Sequence, residues 1–290
     1  MLASPRMMAE SPSTLLKIGL AQIDCRLGDV ESNAERHLDW IEQARAAGVD
    51  LLVFPELSLT GYRLLHLTPR VALPPSSPIL QRLAEAARPM RVLLGFVEEG
   101  ERGVLHNSAV LLSDGKPSYL HRKLYLPTYG IFQEERFFGA GRRLELADLP
   151  WGKVGVLICE DLWHPELARR LAVAGTRLIV VLSASPGRIG AGALPESQES
   201  WETLTRSTAL LDTCWVAYCG RVGWEEGSFY PGLSHVIRPG GELMERAPLL
   251  EEHLLVTEID LRDSDRLRWR LPLLDDERFD IQGPTEGAVR

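Results

Sequence analysis

The stretch VGVLICEDLWHPE, residues 154–166, begins as an apolar run and turns polar without a transition. Short apolar runs rich in β-branched residues are typical of buried strands, so a strand is predicted up to Ile158. Cys159 follows that strand and is itself followed by two carboxylates. Ligand and catalytic groups in sheet proteins gather just beyond strand ends, on loops held by a rigid scaffold. Cys159 is therefore a candidate nucleophile, although a cysteine after an apolar run is more often plain core.

The order of patterns along the chain predicts the fold class. Helices alternate with apolar strands early in each half, and strands follow one another later in each half. That order is typical of two sheets packed face to face, with helices on their outer faces. We expect a single α/β domain over residues 15–282, a loose leader at 1–14 and a loose tail at 283–290. The segments 234–243 and 254–260 are predicted to pair with each other as the closing strands.

Composition argues against several classes of function. The chain has 290 residues, of which 45% are hydrophobic, enough for a large core. Its net charge of −8 and its lack of a dense Lys/Arg cluster argue against a nucleic-acid partner. Without an apolar run of about 18 residues, no membrane partner is expected. Four cysteines without paired spacing predict free thiols in a reducing cytoplasm, and no motif indicates a metal site.

Two other predicted strand ends carry an ionisable side chain: Glu56 in VFPELSLTGY and Lys123 in YLHRKLYLPTYG. A carboxylate such as Glu56 could take the proton of the Cys159 thiol and return it to a leaving amine. The Lys123 ammonium could lower the pKa of the thiol and stabilise an oxyanion, together with the backbone amide after the nucleophile. Taken singly, these residues have ordinary interpretations as a solvated glutamate, a surface lysine and a core cysteine.

Three segments, FPELSLTGY, HRKLYLPTYGIFQEERFF and GVLICEDLWHPELARRLAVAG, resemble the signature blocks of the nitrilase superfamily of carbon–nitrogen hydrolases. The resemblance covers nearly the whole chain. It implies a four-layer α/β/β/α sandwich whose subunits commonly pair, and hence a homodimer or higher homo-oligomer. It also implies Glu56 as general base and acid, Lys123 as oxyanion stabiliser and Cys159 as nucleophile. Glu134 matches a second glutamate that many members place near these three, or is a surface charge.

Further segments, including KLYLPTYGIFQEERFF and LSASP, are most similar to the glutaminase domain of glutamine-dependent NAD synthetases. The similarity implies that Tyr129, Glu160 and Ser185 help hold a glutamine; outside that branch they would be a loop aromatic and two turn formers. Members of this branch usually carry a cation where this chain has Ala191, so Arg188 is the candidate replacement. The chain contains no run like the SGGxDS of the ATP-dependent domain, so released ammonia would have to reach a synthetase on a separate chain.

The sequence thus predicts an amide hydrolase that forms a cysteine thioester and releases ammonia from a small amide, glutamine first and other ω-amides next. This chemistry needs no metal or organic cofactor. The alternatives are a nitrilase or an N-carbamoyl hydrolase on the same three residues, or a weak amidase subunit that needs a separate ammonia-using synthetase. A Cys–His pair is disfavoured, because His121 is predicted within a strand and His164 at a helix start.

Overall fold

The computed structural model describes residues 13–188 and 195–280. Most of the predicted leader, the predicted tail and Ala191 lie outside the described residues. The strands are β1 (Leu15–Gln22), β2 (Leu51–Val53), β3 (Arg91–Glu99), β4 (Leu105–Ser113), β5 (Lys116–Arg122), β6 (Leu146–Leu149), β7 (Gly152–Ile158), β8 (Leu178–Ser183), β9 (Trp215–Gly220), β10 (Val222–Glu225), β11 (Ser228–Pro231), β12 (His235–Ile237), β13 (Leu243–Arg246) and β14 (His253–Asp260). The helices are α1 (Val30–Ala46), α2 (Thr68–Val71), α3 (Pro78–Ala87), α4 (Pro165–Val173), α5 (Glu196–Leu211) and α6 (Arg262–Arg270).

Two six-stranded sheets dominate the described part of the chain. The first has the order β14-β1-β2-β3-β4-β5, and the second has the order β13-β12-β9-β8-β7-β6. Strands β1, β2 and β3 run parallel, as do β7, β8 and β9, and antiparallel strands flank both groups. The packed mixed sheets with flanking helices confirm the predicted sandwich and single domain. None of the described helices combines the length and apolar character that a membrane crossing requires.

The parallel strands are apolar on both faces because each face packs against a different layer. Along β2, Leu51 and Val53 belong to the apolar cluster between the two sheets. Leu52, which points to the opposite face, belongs to the cluster that also contains side chains of α1 and α3. The alternation follows from the period of two along a strand. The continuous apolar runs of the sequence are therefore the central strands of each sheet.

The predicted closing pair of strands is wrong. Strand β12 pairs with β9 and β13 in the second sheet. Strand β14 instead pairs antiparallel with β1 over its full length, from Leu15 opposite Asp260 to Gln22 opposite His253, and so borders the first sheet. The alternation of apolar residues identifies a strand, but it does not say which sheet edge receives it.

The catalytic candidates follow β2, β5 and β7. Strand β2 ends at Val53, shortly before Pro55, which lacks the amide hydrogen needed to continue the ladder. The turn after it rests directly on β3, since a Cβ built on Gly95 would lie 2.3 Å from the amide nitrogen of Leu57. Only glycine at position 95 allows the turn to come this close. The close approach of the turn to β3 places Glu56 between the sheets.

Candidate active site

The backbone turns sharply where β7 ends. Cys159 has φ of +46°, in the left-handed region that residues other than glycine rarely occupy, and it starts a 3-10 turn over Cys159–Trp163. Such a conformation typically costs about 1–3 kcal/mol and persists only where the surroundings enforce it. The thiol is almost buried, with 7% of the residue exposed, and its Sγ lies 3.4 Å from the hydroxyl of Ser183 on β8.

Lys123 lies directly after β5 and is buried between two carboxylates. Its Nζ donates hydrogen bonds of 2.7 Å to Oε1 of Glu56 and of 2.7 Å to Oε1 of Glu134. All three side chains have almost no exposed surface. Glu134 also accepts a short hydrogen bond from the hydroxyl of Tyr62. The structure thus brings Glu134 beside Lys123 and Glu56, and it is not a surface charge.

Glu56 is held by donors on three sides. Besides Lys123, its Oε1 accepts a bond of 2.8 Å from the side-chain amide of Asn107 on β4. Its Oε2 accepts a bond of 2.8 Å from the backbone amide of Ala184, directly after β8. Elements of both sheets therefore orient the Glu56 carboxylate. In this fixed orientation, Glu56 can accept a proton only from a donor that lies in one direction.

Burial dominates the electrostatics of this group. It raises the pKa of the Cys159 thiol well above its ordinary value, and the charge of Glu56 raises the pKa further, whereas Lys123 lowers it. The raised pKa of the thiol is contrary to the expectation drawn from Lys123 alone. Burial is the main reason, and the charge of Glu56 adds to it, so the single charge of Lys123 does not bring the pKa of the thiol down. The resting thiol is therefore neutral and needs a proton acceptor before it can attack.

Glu134 should make stability depend on pH. Burial raises the pKa of this carboxyl from 4.5 to about 7, although Lys123 pulls it down. Between those values the folded protein holds a proton that the unfolded chain releases, so the unfolding free energy falls as pH rises through this window, by about 3 kcal/mol. Denaturant unfolding at about pH 5 and about pH 8 should show this loss in the wild type and much less of it in Glu134→Gln. Parallel curves for the two proteins would contradict the assignment.

A cavity of about 260 Å³ opens on Cys159. The predicted substrate-holding residues Tyr129, Glu160 and Ser185 line it, together with Arg188. The Tyr129 hydroxyl lies 2.9 and 3.1 Å from the two carboxylate oxygens of Glu160, although Tyr129 is 53% exposed. The remaining lining residues are mostly aromatic or small: Phe132, Trp163, Pro186, Ser197, Ser200 and Trp201. Larger cavities of about 800 and 770 Å³ lie elsewhere and do not include the thiol.

Several contributors to this site were not identified from the sequence. Asn107 is one, and its signal was a polar residue inside the apolar pattern of β4. Ser183 is another, because a serine that ends a strand has no distinguishing pattern. His121 contacts Asp161, and His164 stacks on Tyr125. Among the residues the structure describes, no cluster of three or more His, Cys, Asp or Glu side chains is placed to hold a metal ion.

Comparison with known proteins places this geometry in a family. The family model described as carbon–nitrogen hydrolase matches residues 17–268. The glutamine-dependent NAD(+) synthetase of Thermotoga maritima is 35% identical over 257 residues, which cover 87% of this chain and 43% of that protein. The solved glutamine-dependent NAD+ synthetase of Acinetobacter baumannii, in complex with adenosine diphosphate, has a TM-score of 0.75 at 29% identity, covering 86% of this chain and 46% of that one.

A carbon–nitrogen hydrolase from Helicobacter pylori G27 is similar over almost its whole length. The TM-score is 0.80 at 25% identity, and the alignment covers 92% of this chain and 97% of the other. By contrast, the chain spans less than half the length of the two synthetases. The family match and the Helicobacter pylori structure agree with the sandwich and with the resemblance in the sequence. The chain belongs to the carbon–nitrogen hydrolase family of the nitrilase superfamily, and it is a hydrolase that acts on carbon–nitrogen bonds.

Proposed function

We propose that this protein hydrolyses the side-chain amide of glutamine, or another small ω-amide, through a thioester on Cys159. Glu56 takes the thiol proton as the sulfur attacks the amide carbon, and the proton then passes to the departing ammonia. Water, deprotonated by the same carboxylate, attacks the thioester and frees the acid, and the proton on Glu56 then returns to the departing sulfur of Cys159. No metal or organic cofactor takes part in this sequence of steps.

Lys123 serves as the oxyanion donor in this proposal. An ammonium has three N–H donors, and Glu56 and Glu134 accept two of them. The third is left for the oxygen of the tetrahedral intermediate, together with the backbone amide of Glu160. Donors fixed before the reaction stabilise a developing charge without reorganisation, and one such donor is typically worth about 3–4 kcal/mol of barrier.

One observation carries the choice of substrate: the cavity on Cys159 contains both signs of charge. Arg188 provides a cation, and Glu160 provides a carboxylate oriented by Tyr129. The far end of glutamine carries a carboxylate and an ammonium, so both groups of that end would find an opposite charge. A neutral nitrile or a simple aliphatic amide would leave these charges without a partner, which disfavours such substrates. The similarity to synthetases named as glutamine-dependent supports the same choice.

A role as a subunit that supplies ammonia is a second candidate. The synthetases similar to this chain are more than twice as long as the part it matches. We propose that ammonia released at Cys159 passes to an ammonia-using synthetase. In that case activity in isolation should be low and should rise when the partner is added. The expected homo-oligomer stays a prediction.

A substrate panel tests the proposed function. Glutamine, succinamate, an N-carbamoyl amino acid and a nitrile are incubated with the protein, and ammonia release is measured with intact-mass detection of an adduct on Cys159. We expect kcat/KM to be highest for glutamine and an adduct with the mass of its acyl group. Turnover of glutamine no faster than that of a neutral amide would refute the glutaminase assignment. Preference for the carbamoyl compound or the nitrile would favour the corresponding alternative.

Two arginine variants make the panel specific. Arg188→Ala removes the cation from the cavity, so the KM for glutamine should rise about 10- to 100-fold, the cost of a lost charged contact. Hydrolysis of a neutral amide should change little. Arg143→Ala is the matched control, because Arg143 is a mostly exposed arginine outside the cavity on Cys159. Equal changes of the KM for glutamine in both variants would show that Arg188 does not bind the substrate.

A further inference from the structure

Asp161, two residues after the candidate nucleophile, is completely buried and bonded through both carboxylate oxygens. Its Oδ1 accepts hydrogen bonds from the backbone amides of Leu124 at 2.9 Å and Tyr125 at 3.0 Å. Its Oδ2 accepts one from the backbone amide of Ile158 at 3.1 Å and lies 3.0 Å from Nε2 of His121. One side chain thus contacts residues on both sides of Lys123 and the residue just before Cys159.

We infer that Asp161, held in place by His121, is the positioning residue that fixes the Lys123 ammonium relative to the Cys159 sulfur. The inference rests on the proposed function, because it places both groups in one reaction centre. Asp161 reaches no substrate cavity and acts only through its neighbours. Its carboxylate is tied to the chain directly after Lys123 at one oxygen and to the chain directly before Cys159 at the other.

The geometry requires such a link because the two groups come from different sheets. Lys123 follows β5, at the edge of the first sheet, and Cys159 follows β7, inside the second. Ordinary packing between sheets allows small shifts, yet a displacement of about 1 Å at a reacting centre can cost about 100-fold in rate. Hydrogen bonds to a charged group are shorter and stronger than neutral ones. The Asp161 carboxylate therefore stabilises a fixed separation where contact between apolar faces would not.

The same carboxylate helps to hold the strained turn. Cys159 keeps its φ of +46° only if its neighbours restrain it. The bond from the Ile158 amide to Asp161 closes a ring across the turn, from the residue before Cys159 to the residue two after it. His121 supplies the remaining contact of Oδ2. Loss of the His121 contact would leave a buried carboxylate oxygen short of one donor and should loosen the turn.

Two substitutions of His121 test the inference. His121→Leu removes the ring nitrogen that contacts Asp161, whereas His121→Gln keeps a side-chain N–H that can donate to the same oxygen. We expect the leucine variant to lose about 100-fold in kcat for the best amide of the panel, with little change in KM. The glutamine variant should retain most of the wild-type kcat. If His121 only filled space, the side-chain N–H of His121→Gln would not be expected to restore kcat.

Alkylation of Cys159 provides a readout that needs no substrate. The rate of its modification by iodoacetamide is followed against pH by peptide mass spectrometry in the wild type and in both His121 variants. Burial and the charge of Glu56 raise the pKa of the thiol, whereas Lys123 lowers it. A sulfur that is displaced relative to these groups should titrate at a different pH, so the profile of His121→Leu should shift away from that of the wild type. The profile of His121→Gln should coincide with that of the wild type.

Thr176→Val is the matched control for a purely structural effect. Thr176 is equally buried, and its hydroxyl bonds to the backbone of Lys153, Gly155 and Leu178 at the opposite end of β7. It should lower Tm without moving the alkylation profile. If His121→Leu behaves like this control, with a lower Tm but an unchanged kcat and an unchanged alkylation profile, the inference is overturned. If no amide is hydrolysed by the wild type and the profile of His121→Leu still shifts, the positioning role stands and the proposed function fails.

Discussion

Replacing Cys159 by alanine is expected to abolish ammonia release while leaving the fold intact. No other atom can form the thioester, so kcat should fall by at least about 10⁴-fold, as for nucleophiles in other acyl-transfer enzymes. The side chain is small and makes one polar contact, with Ser183, so folding should be little affected. Ammonia release and the circular-dichroism melting curve of the same preparation measure the two effects.

Cys214→Ala is the control for this experiment. Cys214 is also a free, fully buried thiol, but it lies just before β9 and outside the cavity on Cys159. The Cys214→Ala variant should keep the wild-type activity and should still form the adduct on Cys159. Full activity of Cys159→Ala would refute the nucleophile assignment and the thioester mechanism together.

Replacing Lys123 by methionine should damage both activity and stability. The variant leaves Glu56 and Glu134 buried side by side without the ammonium between them. Removing one partner of a buried ion pair typically costs about 3–5 kcal/mol of unfolding free energy. In addition, the loss of an oxyanion donor should reduce kcat about 100- to 1000-fold. Denaturant unfolding and ammonia release at neutral pH measure the two losses separately.

The double variant Lys123→Met/Glu134→Gln separates these effects. Glu134→Gln removes the cost of keeping that carboxyl buried, whether it is charged or has to take up a proton, so part of the lost stability should return. Activity should not return, because the oxyanion donor is still missing. Failure of Glu134→Gln to restore any stability would mean that the buried charges are not coupled through Lys123. Recovered activity would show that Lys123 is not the oxyanion donor.

The elements of the fold could be predicted where local pattern decides the structure. The ends of strands β3 and β4 follow from local pattern, because their apolar runs stop next to the turn residues Gly103, Asp114 and Gly115. The partner of β14 could not be predicted, since that pairing joins the two ends of the chain. Nothing local distinguishes an edge strand of the first sheet from one of the second.

The site divides in the same way. Glu56, Lys123 and Cys159 each stand at the end of a predicted strand, and the resemblance of their flanking segments assembled them into one set. The contacts of Asp161 and Asn107 could not be predicted, because they depend on which backbone amides come close in space. The raised pKa of the thiol was missed for a related reason: the sequence does not reveal how deeply the thiol is buried or that Glu56 lies close enough to raise its pKa further.

The placement of Lys123 between two glutamates has a consequence for how charge moves during the proposed reaction. With Glu134 protonated, the empty site holds one positive and one negative group and is neutral overall. When the thiol gives its proton to Glu56, that carboxylate loses its charge as the substrate oxygen gains one. The negative charge passes from one partner of the ammonium to another, and the low-dielectric interior never contains an isolated ion.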